Sequence, residues 1–146
     1  MQKIVYIING PNLNLLGSRE PEKYGKTSLK DLESLCFDRC KIHGFELNFF
    51  QSNIEGLLID EIHKAINDGA GIIINAGALT HTSIGILDAL NMFKGPKIEI
   101  HITNVHARES FRHKSYISPV ASGIIAGLGV NSYLLAIEAL QNLIND

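Results

Sequence analysis

Residues 3–9 read Lys-Ile-Val-Tyr-Ile-Ile-Asn, five consecutive apolar side chains that stop at Asn9-Gly10-Pro11. A strand with one wet face alternates apolar and polar residues. This stretch does not, so both faces must be covered, as in a parallel sheet wrapped by helices. Gly71 to Asn75, GIIIN, has the same character. Between the two, Leu29, Leu32, Leu35, Cys36 and Cys40 follow helical spacing over residues 27–43, with Ser28 and Asp31 as a capping-box-like start and Gly44 as a stop. A second strand is expected over Glu46–Gln51, and Ile54, Leu58, Ile62 and Ile66 recur every four residues up to Gly69. Further along, the pattern predicts a helix over Ser83–Met92, strands over Lys97–Ile102 and Gly123–Ala126, and a closing helix over Asn131–Ile144.

Strict alternation of strand and helix gives an α/β fold with a parallel sheet, helices on both faces and right-handed crossovers. Five strands in 146 residues suggest a flavodoxin-like order, 2-1-3-4-5. Ligands in such sheets bind beyond the carboxyl ends of the strands. The length suits one domain spanning 1–146. Thirteen Lys and Arg against 15 Asp and Glu leave a net charge of -2, which supplies no general field for nucleic acid or an anionic membrane surface. The run Ile4–Ile8 is shorter than a signal-peptide core, and no stretch approaches the roughly 18 apolar residues of a membrane span. Cys36 and Cys40, the only cysteines, are four apart, neither a zinc pattern nor a redox pair. These features predict a cytoplasmic chain with free thiols packed in the core.

The first strand end is followed by NGPNLNLLGSREPEKYGK, 18 residues where a compact domain spends about 2 to 6. That length suggests a lid at about residues 18–26. It carries Arg19 and Tyr24, and a positive charge beside a phenol, whose ordinary pKa is about 10, favours the phenolate. A surface loop with an incidental tyrosine would read the same way. The third strand ends in NAGALTHTS, placing Asn75 and His81 at the sheet edge, with Thr82 or Ser83 available to cap the next helix and Asp88 within it. In KIEIHITN, alternation sets Glu99, His101 and Thr103 on one face and Ile98, Ile100 and Ile102 on the other. A carboxylate beside an imidazole fixes its tautomer and makes it a proton carrier. The next stretch crowds His106, Arg108, Arg112, His113 and Lys114 into nine residues. On a helical turn Arg108 and Arg112 would face the same way and could catch a carboxylate or phosphate.

Other chemistries lack their motifs. The chain has no phosphate-loop, nucleophile-elbow or HExxH signature, and GLGVNS at 127–132 is a poor dinucleotide fingerprint because no further strand follows it. Asn9 and Asn75 stand where a receiver domain needs carboxylates for magnesium, and the first loop lacks the clustered hydroxyls of a flavin phosphate cradle.

Taken together, NGPNLNLLGSREPEKYG, NAGALTHTS, EIHITNVHARESFRHKS and GIIAGLG resemble the type II 3-dehydroquinate dehydratases along the whole chain. The resemblance implies a flavodoxin-like lyase that removes water from 3-dehydroquinate to give 3-dehydroshikimate, the third step of the shikimate pathway, by anti elimination through an enolate and with no metal or cofactor. It makes Tyr24 the base at C2, with Arg19 and Arg108 favouring its anion. His101, oriented by Glu99, is the acid for the C1 hydroxyl, and Asn12 holds a water at the enolate oxygen. Asn75 binds near the C1 hydroxyl, the Ile102 and Thr103 amides with the Thr103 hydroxyl take the carboxylate, and His81, Asp88 and Arg112 hold ring hydroxyls. This differs from the reading of the residues alone, in which both arginines catch the anion. It also implies a homododecamer, a tetramer of trimers. Thr103 stands where serine is usual, Leu79 where an aromatic is often seen, and Leu87 where an arginine often precedes Asp88. The alternative from another class is a flavodoxin-like module that binds a small anion without catalysis; Tyr24 separates the two, since such a module has no use for an ionised phenol.

Overall fold

In the computed structural model, which describes residues 2–145, five strands run parallel, the second strand of the chain at one edge, then the first, third, fourth and fifth. Met1 and Asp146, the ends of the expected 1–146 domain, lie outside the described residues. In chain order the elements are β1 (Lys3–Asn9), α1 (Pro21–Tyr24), α2 (Leu29–Ile42), β2 (Phe45–Gln51), α3 (Glu55–Asp68), β3 (Gly69–Asn75), α4 (Ile84–Met92), β4 (Lys97–His101), β5 (Gly123–Ala126) and α5 (Asn131–Asn145).

The all-apolar strands feed two cores, one on each face of the sheet. On one face Leu32 and Cys36 of α2 and Tyr133, Ala136 and Ile137 of α5 pack on Val5, Ile7, Ile73, Ile98 and Ile100. On the other, Leu58 and Ile62 of α3 and Ile86 and Leu90 of α4 cover Tyr6, Ile8, Ile72 and Ile74. Each fully buried isoleucine contributes about 1.5–3 kcal/mol from removed apolar surface, so the odd and even positions of β1 and β3 stabilise opposite layers. Cys36 and Cys40 are free and buried, and burial pushes their thiols up to about 12 and about 11.

The expected boundaries move by a residue or two for local reasons. Ser28 is the N-cap of α2, accepting from the Asp31 amide at 3.1 Å, so the helix starts at Leu29, and Gly44 ends the turn beyond it at φ +75°. Ser83 caps α4 likewise, accepting from Ile86 N–H at 2.9 Å. The helical spacing runs up to Gly69, which is also the first residue of β3. A Cβ there would stand 2.8 Å from the Ala65 carbonyl oxygen, so only glycine allows helix to pass into strand without a loop. The arginine-rich stretch is not one helical turn. It folds as two separate 3-10 turns, Val105–Ala107 and Ser110–Arg112, because the Asn104 side chain accepts from His106 N–H and the chain is extended at Arg108 and Glu109.

At the carboxyl edge β1 and β3 end in register, Asn9 beside Asn75. The turns beyond them pack closely: Gly10 N–H donates to Asn75 O at 2.8 Å, and Gly77, at φ +59°, lies against the Pro11 carbonyl. This edge is the floor of the site.

Candidate active site

A cavity of about 220 Å3 opens over that edge, walled by the loop after β1, the β3–α4 turn and the 101–112 connection. Ten of the residues singled out in the sequence line it: Asn12, Arg19, Tyr24, Asn75, His81, His101, Ile102, Thr103, Arg108 and Arg112. Glu99 stands behind His101, 1% exposed. Asp88 lies on the exposed side of α4 and does not line the cavity.

Tyr24 ends the short helix α1, begun by Pro21 after Glu20 takes a left-handed turn at φ +41°. Two guanidiniums flank its ring: Arg19 Cζ lies 4.7 Å from the centroid and Arg108 Cζ 5.7 Å. Arg108 donates from Nη1 to Thr103 Oγ1 at 3.2 Å, while its buried Nε finds no hydrogen-bond acceptor among the described residues. That Nε stands 3.7 Å from Glu109 Oε1, ion-paired with it but beyond hydrogen-bond reach. Arg112 is drawn aside by Glu109, with Nε 3.0 Å from Oε1. The same Glu109 oxygen thus pairs with both arginines, at 3.0 Å from Arg112 and 3.7 Å from Arg108.

His101 closes β4 and donates from Nε2 to Glu99 Oε2 at 2.5 Å. Burial alone would raise Glu99, but hydrogen bonds from His101, Ser118 and Ser115 outweigh it and hold the carboxyl below the ordinary range. With Nε2 engaged, Nδ1 is the His101 nitrogen left for the cavity. His81 stacks on it with ring centroids 6.4 Å apart and planes 15° from parallel. Its Nδ1 lies 2.8 Å from Lys114 O; since a carbonyl only accepts, Nδ1 carries the proton and Nε2 is free to accept.

Asn75 donates from Nδ2 to the Tyr133 hydroxyl at 3.0 Å and accepts the Gly77 amide on Oδ1 at 3.2 Å. Tyr133, fully buried on α5, donates its hydroxyl hydrogen bond to Asn9 Oδ1 at 2.6 Å. Asn12 sits at φ +71°, a left-handed conformation that asparagine tolerates, with its amide bonded to Asn53 Oδ1 at 2.9 Å. Sequence reasoning missed Tyr133, Ser115 and Ser118. Tyr133 carried a signal, since the helical series Tyr133, Ala136, Ile137, Leu140 marks a core face where a phenol oxygen must find a partner. The serines, in a connection without periodicity, carried none. Among the described residues no group of three or more His, Cys, Asp or Glu could hold a metal ion, and no helix is long and apolar enough to cross a membrane.

Residues 3–141 match the family described as dehydroquinase class II. The chain is 53% identical to a 3-dehydroquinate dehydratase of Cereibacter sphaeroides over 98% of its own length and 97% of that protein. It is 59% identical to a catabolic 3-dehydroquinase of Meyerozyma guilliermondii over 97% and 99%. Among solved structures, the type II dehydroquinase of Propionibacterium acnes superposes with a TM-score of 0.93 at 40% identity, over 97% of this chain and 98% of that one.

Proposed function

The chain belongs to the class II dehydroquinase family and dehydrates 3-dehydroquinate in the shikimate pathway; within that activity, we propose that Tyr24 is the base and His101 the acid. The observation that carries this is the meeting of Tyr24, flanked by Arg19 and Arg108, with the Glu99-backed His101 in one small cavity. A hydride transfer or hydrolysis has no use for that pair; a β-elimination next to a carbonyl needs both.

The Tyr24 phenolate takes a proton from C2 of the substrate, and the C–H electron pair moves toward the neighbouring carbonyl to give an enolate. A water held by Asn12 stabilises the enolate oxygen. The electrons then return to form the C=C bond as the C1–O bond breaks, and a proton from His101 lets the hydroxyl leave as water, in the anti sense. Thr103 and the amides of Ile102 and Thr103 take the carboxylate, Asn75 lies near the C1 hydroxyl, and His81 and Arg112 hold ring hydroxyls. No metal or organic cofactor enters this scheme. Preorganised charge at the sites where charge develops is what such a cavity contributes.

Residues 1–146 form one catalytic domain in this reading, with residues 18–26 as the lid. Gly17 at φ +95°, just before that segment, and Gly25 at φ +81°, near its end, supply its hinges. The assembly is a homododecamer, a tetramer of trimers; self-association is supported by apolar side chains left exposed at the N-cap of α3 and on α3 and α4, among them Ile54, Leu57, Ile84 and Met92. Because Asp88 lies outside its own chain's cavity, its contact with a ring hydroxyl would have to be made to another copy. A cytoplasmic location fits the two buried free thiols.

The test is ultraviolet absorbance of the conjugated product when purified protein meets 3-dehydroquinate. Tyr24→Phe should keep substrate binding within about tenfold yet cut kcat by about three orders of magnitude or more, since a group acting only in the transition state is removed. Near-normal turnover in that variant would rule Tyr24 out as the base.

A further inference from the structure

Glu99 is buried and accepts from three donors among the described residues, His101, Ser115 and Ser118, the two serines standing 16 and 19 residues further along the chain. Ser118 Oγ donates to Oε1 at 2.5 Å. Ser115 Oγ donates to Oε2 at 2.9 Å, on the same oxygen that receives His101 Nε2. Ser115 Oγ also accepts the backbone N–H groups of Ile117 and Ser118, both at 3.0 Å. Those amides occupy its lone pairs, so its hydroxyl proton has one place to go, the carboxylate. A hydroxyl in that state cannot accept a proton from a neutral Glu99.

The surroundings leave His101 as the titratable group facing Glu99. Ile74 of β3 and Ile124 of β5 flank it in register. Lys97, two residues earlier on the same strand, turns its ammonium to the Phe93 carbonyl at 2.5 Å. His81 lies beyond His101, stacked on its ring.

We propose that Ser115 and Ser118 are positioning residues of the active site: by spending both hydroxyl protons on Glu99 they hold it as an acceptor on every side, which keeps a proton on His101 Nε2 and makes Nδ1 the nitrogen that exchanges a proton with substrate. This rests on the reading of His101 as the acid. The proton count is simple. Glu99 accepts three and donates none; His101 keeps Nε2–H throughout, and only the Nδ1 proton passes to the departing hydroxyl and is regained from solvent. The ionisation of Glu99 described above agrees with this arrangement.

Ser118 is the cleaner handle, because its hydroxyl is bonded to Glu99 alone, whereas Ser115 also ties the backbone turn. The sign follows from the carboxylate. A group held low is ionised above its folded pKa and loses its charge as pH falls through it, so removing a donor moves that loss to higher pH. Ser118→Ala should therefore move the acidic limb of kcat upward by about one to two pH units, with kcat close to that of the unaltered protein by about pH 8 and KM within about twofold, as neither serine lines the cavity. Ser118→Thr, which keeps the hydroxyl, should restore most of the limb. A loss of the same factor at every pH, or an unmoved limb, overturns the proposal and leaves the serines structural. If Ser118→Ala does not fold, Ser118→Thr and Ser118→Cys decide: the cysteine variant, a weaker donor, must show the shifted limb and the threonine variant must not. His101→Gln run alongside separates the two readings. Retained turnover there removes the acid role and this proposal with it, while lost turnover beside an unchanged Ser118→Ala profile removes this proposal alone.

Discussion

Asn75, at the end of β3, donates to the hydroxyl of Tyr133 across 3.0 Å, so a side chain on the cavity floor is tethered to the closing helix. Tyr133 in turn donates its hydroxyl hydrogen bond to Asn9 Oδ1 at 2.6 Å, and burial pushes its phenol up, which keeps the donating proton in place. Tyr133→Phe would leave Asn9 Oδ1 and one Asn75 N–H facing the ring edge. A buried polar group left unpaired costs about 1–3 kcal/mol, so the urea midpoint should fall with an unchanged slope. A loosened Asn75 should also lower kcat/KM about tenfold. A variant with wild-type stability and kcat/KM would show the tether to be idle.

Gly10 approaches the turn after β3 so closely that a Cβ on it would meet the Ala76 carbonyl oxygen at 2.4 Å. The obstacle is backbone on both sides and cannot rotate away. Gly10→Ala should part the ends of β1 and β3, at a cost of about 1–3 kcal/mol, and shift Pro11, Asn12 and Gly77 in the cavity wall. Thermal unfolding together with turnover measured well below Tm checks this. An alanine variant with unaltered Tm and rate would mean that the approach relaxes without consequence.

These two relationships mark where the sequence stops being readable. The sheet is legible because Ile4–Ile8 and Gly71–Asn75 are apolar on both faces, a period that only a covered parallel strand satisfies. Glu99 and His101 are legible because alternation puts them on one face. Tyr24, Arg19, Arg108 and Arg112 come from connections with no period, and only chemical type and local density pointed to them. Their convergence depends on how Gly17, Glu20 and Gly25 turn the backbone, at φ +95°, +41° and +81°. Ser118 reaches Glu99 across 19 residues, a pairing fixed by tertiary packing with no local pattern to announce it.

The thiols give a prediction independent of catalysis. Cys36 and Cys40 are fully buried, and burial raises them to about 12 and about 11, so the thiolate that reacts is scarce and shielded. At pH 8 both should react with a disulfide reagent at least about a hundredfold more slowly than a free cysteine, and at full rate once urea unfolds the chain. Fast labelling of the native protein would place at least one thiol outside the core.

Arg19 offers the sharpest separation between charge and grip. Its guanidinium lies 4.7 Å from the Tyr24 centroid, partly exposed, and is shared with Glu20 at 3.9 Å. A unit charge at that distance from another is worth about 1 kcal/mol in a water-like dielectric and about 3.5 kcal/mol at an effective dielectric of about 20. At about 1.4 kcal/mol per factor of ten, Arg19→Ala should lower kcat/KM at neutral pH by roughly tenfold to a hundredfold. On the proposed role of Tyr24 as the base, raising the pH should recover part of the loss, and the acidic limb should move upward. Arg108, 5.7 Å from the same ring, remains in the variant and limits the loss. Lysine at position 19 should rescue in part, restoring a charge without the planar fork. A substrate-gripping arginine would behave otherwise, raising KM at every pH and leaving the limb in place. The measurement is a pH–rate profile of the unaltered protein, Arg19→Ala and Arg19→Lys from about pH 6 to 10. A fixed limb with raised KM in Arg19→Ala would assign Arg19 to the substrate and leave Arg108 as the residue that favours the phenolate.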